Sequence, residues 1–313
     1  MSLVEENYEG ATNPAFTTVF GEVGDGPTPE TTVKTALAAP SDATPGCVVY
    51  AVKPPDCVDI GGCSIQSDDA ECAAAAKSGV NPCVCVAKDK CRPYPTKKDV
   101  GSVTVNGVGT TAGADRFELE NQADSYQVKA DTTLAHPGFR EGETIRVSAT
   151  GGDYEAFEVS APAITPFRFT NAPFHLNRDP ASTDTTKYQA LTIEWNPPES
   201  ATASRVTVDL NLSLHAGTVG ILWCDVEDTG SLTISAGQIS QLAGLGNIGG
   251  LPELTVTRIT TGTVDIALGR VELLVMSESV RFPIVEGYTS CERPSDCDAD
   301  QICNTAIKLC ETA

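Results

Sequence analysis

Twelve cysteines are the residues of this chain best able to do chemistry, and their spacing decides which chemistry. Seven lie between positions 47 and 91: Cys47, Cys57, Cys63, Cys72, Cys83, Cys85 and Cys91. Cys224 stands alone, and Cys291, Cys297, Cys303 and Cys310 close the chain. Structural zinc sites present cysteines about two to four residues apart, often with histidine. Here no C-x-x-C occurs, the tail spacings are five, five and six intervening residues, and the three histidines are scattered. The pattern favours disulfides, which persist in oxidising compartments, so the chain is expected to be exported. Parity adds an expectation. Four tail cysteines can pair among themselves in about three ways, whereas seven cannot, so Cys224 is expected to bridge to the first cluster. Cys83 and Cys85 would share a face of a strand and are too close to pair comfortably.

Other chemistry finds little support. Nucleophilic hydrolysis needs a nucleophile, a base and an orienting group in contact. His136 and His175 sit in proline-flanked loops, His215 falls on the polar face of a strand pattern, and no G-x-S-x-G elbow occurs. Paired carboxylates could hydrolyse a glycoside, but among 42 acidic residues no pair is singled out. No phosphate loop of the form G-x-x-x-x-G-K-[ST] is present, and the glycine-rich stretch from Gly244 to Gly250 reads as turns. Asp296, Asp298 and Asp300 alternate like the first ligands of an EF-hand loop, yet Gln301 replaces the required glycine and Ile307 the bidentate glutamate. Asp225, Glu227 and Asp228 before Gly230 read as a second solvated acidic turn. Asn211-Leu212-Ser213 matches a glycosylation sequon but lies mid-strand. No catalytic, cofactor or metal residue is therefore expected, and no enzyme.

The elements that must carry these residues are mostly strands. Of 313 residues, 41% are hydrophobic and 6% aromatic, so a core is affordable only from Val, Ile, Leu and Ala. A formal charge of −21 repels phosphate backbones and anionic lipid, which argues against nucleic-acid and membrane-surface partners. No run approaches the roughly eighteen apolar residues of a membrane span. Met1-Ser2-Leu3 turns polar at once, which is expected of an expression scar replacing a removed leader; membrane attachment would then come only through a lost lipid anchor.

Residues 1–46 carry seven acids, one lysine and no apolar period, and read as a disordered tether spanning roughly 40 Å. Residues 47–97 form a cysteine-rich module, with a short helix expected near Asp68, Glu71 and Ala73–Ala76, ending at Gly79 and pinned by Cys72. A small β subdomain is expected over 98–164, ending at the Pro-rich stretch Ala161–Pro166, and a fuller sandwich over 165–287. The alternation is clearest at Val206, Val208, Leu210, Leu212 and Leu214. Val264, Ile266 and Leu268 are expected to follow a turn at Thr261-Gly262. Ser235 and Gln238 suggest a capping box opening a short helix with Ile239, Leu242 and Leu245 on one side and Gly244 and Gly246 ending it. Residues 288–313 form a four-cysteine tail. The fold class expected is mainly β, an antiparallel sandwich with disulfide-rich small modules at both ends.

Two stretches carry a resemblance. Ala190-Leu191-Thr192-Ile193-Glu194-Trp195-Asn196-Pro197-Pro198, followed by the strand from Arg205, resembles early strands of fibronectin type III and related immunoglobulin-like sandwiches, over about thirty residues. The resemblance implies an inward Trp195; the Cys-Trp-Cys framework of antibody domains is absent. The tail, with Ser295-Asp296-Cys297 and Gln301-Ile302-Cys303, resembles short four-cysteine repeats in largely uncharacterised surface lipoproteins of myxobacteria and their relatives, and Leu222-Trp223-Cys224-Asp225 to Ile234 is similar to the same group. That implies export, lipid anchoring and a β-rich ectodomain, and no reaction. The function expected is a secreted or surface-exposed, adhesion-type monomer in the cell envelope or outside it, binding a protein or glycan. A structural envelope spacer and a secreted hydrolase with a carboxylate site are the alternatives.

Overall fold

The computed structural model describes residues 2–8, 15–26, 28–30, 32–53, 83–87, 90–122, 125–199, 204–213, 217–246, 252–289, 291, 293–305 and 309–312. The clearest alternating run folds as β14 (Arg205–Asn211), with Val206, Val208 and Leu210 fully buried. It pairs antiparallel with β15 (Gly220–Glu227) on one side and with β17 (Glu253–Ile266) on the other. β17 and β18 (Gly269–Arg281) form the longest hairpin, closed by Ala267-Leu268.

Among the described residues these strands belong to a thirteen-stranded, mainly antiparallel sheet. Beyond β15 it continues through β4 (Cys47–Lys53) to its edge at β3 (Val33–Ala36). Beyond β18 it runs through β1 (Ser2–Tyr8), β2 (Phe16–Glu22), β9 (Ser125–Val128), β8 (Arg116–Gln122), β7 (Val103–Asn106) and β10 (Thr144–Ala149) to β11 (Phe157–Pro162). β11 then curls back against β17 and β18, so this part of the sheet is a half-barrel. At that closure a Cβ on Gly262 would stand 1.9 Å from the Ser160 carbonyl oxygen, and the Thr260 hydroxyl donates to the Pro162 carbonyl at 2.7 Å. The turn expected at Thr261-Gly262 is thus absent. The strand runs straight through, and the glycine is there because another backbone needs its space.

Two aliphatic cores result. One fills the half-barrel with Val103, Val105, Ile145, Val147, Val159 and Ile164, among others. The second lies between the other part of the sheet and a covering layer, and includes Val206, Val208, Leu222, Leu254 and Val256. That layer comprises the antiparallel pair β13 (Leu191–Glu194) and β16 (Ser231–Ile234), the pair β12 (His175–Leu176) and β19 (Ile284–Val285), and helix α1 (Ala236–Ala243). Two packed β layers around this core make it a sandwich. Trp195 lies inside it, 2% exposed, with its ring tilted on Phe167.

α1 starts at Ser235, whose side chain accepts from the Gln238 amide at 3.2 Å. The reciprocal half of the capping box is not made. The Gln238 side chain instead accepts from the Thr44 amide at 2.8 Å and donates to the Cys47 carbonyl at 2.9 Å, while the Thr44 hydroxyl receives the Ser235 amide. Gln238 therefore joins the helix to β4.

The structure departs most from the sequence reading over residues 1–46. The tether expected there contains β1, β2 and β3, and the cysteine module expected from residue 47 begins with a strand of the main sheet. β2 hides its alternation because Phe16 and Phe20 face solvent while Val19 and Gly21 face inward. β1 pairs parallel with β18, so its partner lies at the far end of the chain. The helix expected over 68–79, with Cys57, Cys63 and Cys72, lies outside the described residues, as do Leu214 and His215.

Cys47 and Cys224 are bridged, as parity requires. They oppose one another on β4 and β15 with Cα atoms 4.0 Å apart. Of the three tail connectivities the one formed is Cys291–Cys303 and Cys297–Cys310, which tie the preceding segment to each strand of the hairpin of β20 (Gln301–Asn304) and β21 (Leu309–Thr312). Cys85 opposes Cys91 in the hairpin of β5 (Cys83–Ala87) and β6 (Lys90–Pro93). These disulfides indicate an oxidising, extracellular type of environment. Among the described residues no helix is long and apolar enough to cross a membrane.

Candidate binding groove

A groove of about 900 Å³ opens where the start of β3 faces the β5–β6 hairpin. Thr28, Pro29, Glu30, Thr32 and Val33 line one side; Val86, Arg92, Tyr94 and Pro95 line the other. Its size is that of a pocket for a small molecule or a short chain segment. Tyr94 is 46% exposed, an amphipathic ring available to a ligand.

The floor is fastened by backbone pairing. The Asp25 amide donates to the Thr96 carbonyl at 3.2 Å, the Lys98 amide donates to the Val23 carbonyl at 2.8 Å, and Gly24 bridges to Lys97. A Cβ on Gly24 would press on Pro95 at 3.1 Å. The Asp25 carboxylate accepts from the Thr96 amide at 2.7 Å and lies 3.5 Å from the Lys98 ammonium. Desolvation pushes the Asp25 carboxyl up, but the Thr96 bonds and Lys98 together hold it below the usual carboxylate range. It is a fixed anion, committed to shaping the floor.

A second, smaller cavity of about 390 Å³ lies on the half-barrel, lined by Phe16, Thr18, Val128, Leu134 and His136, among others. His136 shares a hydrogen bond with the Thr17 hydroxyl at 3.3 Å, and burial lowers its basicity. His175 is exposed on β12, paired with Ile284.

The acidic turns resolve differently. Asp296 accepts from the Arg293 backbone and side chain, each at 3.1 Å. Asp228, expected in a solvated turn, is 3% exposed and faces Arg258, which is fully buried. Arg258 Nε donates to Asp228 Oδ2 at 2.6 Å and Nη2 to Oδ1 at 3.1 Å, while Trp195 Nε1 (2.8 Å) and the Ser204 hydroxyl (2.7 Å) also donate to that carboxylate. Arg258 further donates to the carbonyls of Thr165 at 2.9 Å and Asn196 at 2.5 Å. Burial raises the Asp228 carboxyl, but Arg258, Ser204 and Trp195 outweigh it and the net shift is downward. Every lone-pair direction is taken, so the pair holds the fold and offers nothing to a ligand. The sequon asparagine is likewise engaged: Asn211 accepts from the Ser213 amide at 2.9 Å and donates to Thr218 at 2.9 Å.

Asp209 sits on the outer face of the sheet, opposite Trp223 on β15 and Thr255 on β17. Desolvation, then the nearby Glu253, push its carboxyl up to about 6 against the opposing pull of Lys34. The native state therefore binds this proton more tightly than the unfolded chain does. The stabilisation is complete below the ordinary carboxylate range and is lost as pH rises through about 6. Asp209→Asn, a mimic of the protonated form, is expected to be more stable than the wild type at pH 7 by on the order of 2 kcal/mol after allowance for partial exposure. Urea midpoints for both proteins between pH 4 and 8 check this, and the difference should vanish near pH 4.

Three tail sulfurs, those of Cys291, Cys297 and Cys303, lie within 4.8 Å of one another, a consequence of the two adjacent disulfides. The sequence singles out no groove residue; one wall comes from the stretch expected as a disordered tether and the other from the cysteine-rich module. No protein-family model matches the chain, and a search of curated proteins found no significant match.

Proposed function

We propose that this is a secreted or surface-displayed binding protein that seats an extracellular ligand in the groove between β3 and the β5–β6 hairpin. The observation that carries the reading is the groove itself: an exposed aromatic ring and a guanidinium, Tyr94 and Arg92, on a rigidly laced floor. Rigid sheets presenting loops of this kind are a common basis for recognition. Asp25, the carboxylate anchored in the floor, is held as an anion by Thr96 and Lys98 and shapes the groove. Export to the extracellular space or cell envelope, as a monomer, fits the disulfides and the charge of −21. The resemblance of the tail to four-cysteine lipoprotein repeats points the same way and suggests a lipid-anchored relative.

Immobilised full-length protein should retain a ligand from a panel of soluble extracellular glycans and linear peptides. Tyr94→Ala is expected to weaken that binding at least tenfold, roughly the 1.4 kcal/mol of one stacked or packed ring. Binding unchanged by Tyr94→Ala and by Arg92→Gln would remove the groove from consideration. A secreted hydrolase is the second reading, and one observation favours it: Asp209, with its raised carboxyl, has Glu253 nearby and Trp223 beside it. Turnover of a glycan in that panel, lost in Asp209→Asn, would support it.

A further inference from the structure

Among the described residues β3 is the last strand of the sheet, and one of its two edges has no neighbouring strand. Which amides face that edge follows from the pairing. The Leu37 amide donates to the Val49 carbonyl at 2.8 Å, which makes Leu37 a hydrogen-bonded partner of β4. Antiparallel ladders alternate. Thr35 opposite Ala51 and Val33 opposite Lys53 therefore also bond inward, while Lys34 and Ala36 point their N–H and C=O groups outward. The other side of β4 agrees: the Val52 amide, opposite Lys34, donates away from β3 to the Val219 carbonyl at 2.9 Å. Among the described residues, the Lys34 and Ala36 backbones have no partner on the outward side.

The groove and this edge are continuous, because Thr32 and Val33 line the one and lead into the other. Across the groove Arg92 presents an exposed guanidinium, which fits a carboxylate in a planar, two-bond arrangement. Resting on the groove reading above, we infer that the ligand is an extended polypeptide segment that adds as a strand to the open edge of β3 and places a carboxylate against Arg92. Main-chain bonds to Lys34 and Ala36 supply affinity, and the groove around Tyr94 selects side chains at alternate positions. The sheet already tolerates a short, lysine-bearing edge strand, a form that discourages indiscriminate pairing and leaves selection to the groove.

The test uses the full chain and a displayed library of random linear dodecapeptides. Selected sequences should alternate apolar and polar residues around an acidic position. A synthetic peptide of the selected sequence should slow hydrogen exchange at the Lys34 and Ala36 amides of the wild-type protein. Ala36→Pro removes an outward donor without touching the β3–β4 ladder, and should bind that peptide about three- to tenfold more weakly, the range for one main-chain hydrogen bond. Arg92→Gln should erase the preference for an acidic position. If peptides bind and Tyr94→Ala abolishes binding, but both amides exchange unchanged and Ala36→Pro binds normally, strand addition is wrong while the groove stands. If only a soluble glycan binds in a Tyr94-dependent way, strand addition is also wrong. If no ligand depends on Tyr94, both readings fall together.

Discussion

Arg258→Met is expected to cost the protein about 3–5 kcal/mol at pH 7, the range for breaking a buried ion pair by removing one partner. Such a loss is a large share of the roughly 5–15 kcal/mol that holds a typical protein folded. The cost arises less from the missing attraction than from what is left behind. Asp228 would stay buried with only Trp195 and Ser204 donating to it, and the carbonyls of Thr165 and Asn196 would lose their donor. Two signatures separate this from a simple packing defect. The penalty should shrink on acidification, because a protonated Asp228 no longer needs a cation. Arg258→Lys should recover little, because an ammonium cannot bridge both carboxylate oxygens while reaching two carbonyls. Urea unfolding followed by Trp fluorescence at pH 5 and pH 7 measures both. A loss below about 1 kcal/mol with no pH dependence would show that the network is dispensable.

The second large effect is expected from the bridge between Cys47 and Cys224. It joins residues 177 apart, and the chain-entropy description gives about 5 kcal/mol for a loop of that length. The tail bridges, with separations of 12 and 13, should contribute about 3 kcal/mol or less each. Replacing both Cys47 and Cys224 by alanine should therefore lower the unfolding midpoint more than removing either tail bridge. Both sulfurs lie in the sandwich core, so mild reductant should reach the tail first. Equal midpoints for the alanine pair and the wild type would show that the β4–β15 ladder alone fixes that register.

Much of the architecture is written locally. Alternation over Val206–Leu210 is enough for β14 because each residue on one face meets the core, and a serine before Ala236 is enough to start a helix. That Cys224 pairs into the first cluster is legible from odd and even counting alone; that the partner is Cys47 is not. What is not legible depends on distant neighbours. Asp228 looks like any acid before a glycine, and only the position of Arg258, thirty residues on and across two strands, makes it a core residue. β1 and β2 look like coil because their order is imposed by β18, and because Phe16 and Phe20 occupy the solvent side of their strand. The groove escapes detection for a related reason: its walls come from segments about sixty residues apart, and neither has a distinctive composition.

The parallel pairing of β1 with β18 sets the order in which the molecule can be assembled. Ser2 aligns with Leu274 and Tyr8 with Val280, so β1 waits for a strand that lies far along the chain. Folds dominated by such distant pairings form slowly, on the millisecond-to-second scale. During that interval β1, paired with β2, presents the unpaired edge that β18 will cover, beside the two exposed phenylalanines of β2. The same edge that later joins two halves of the sheet is, for that time, the place where a second copy of the chain could pair instead.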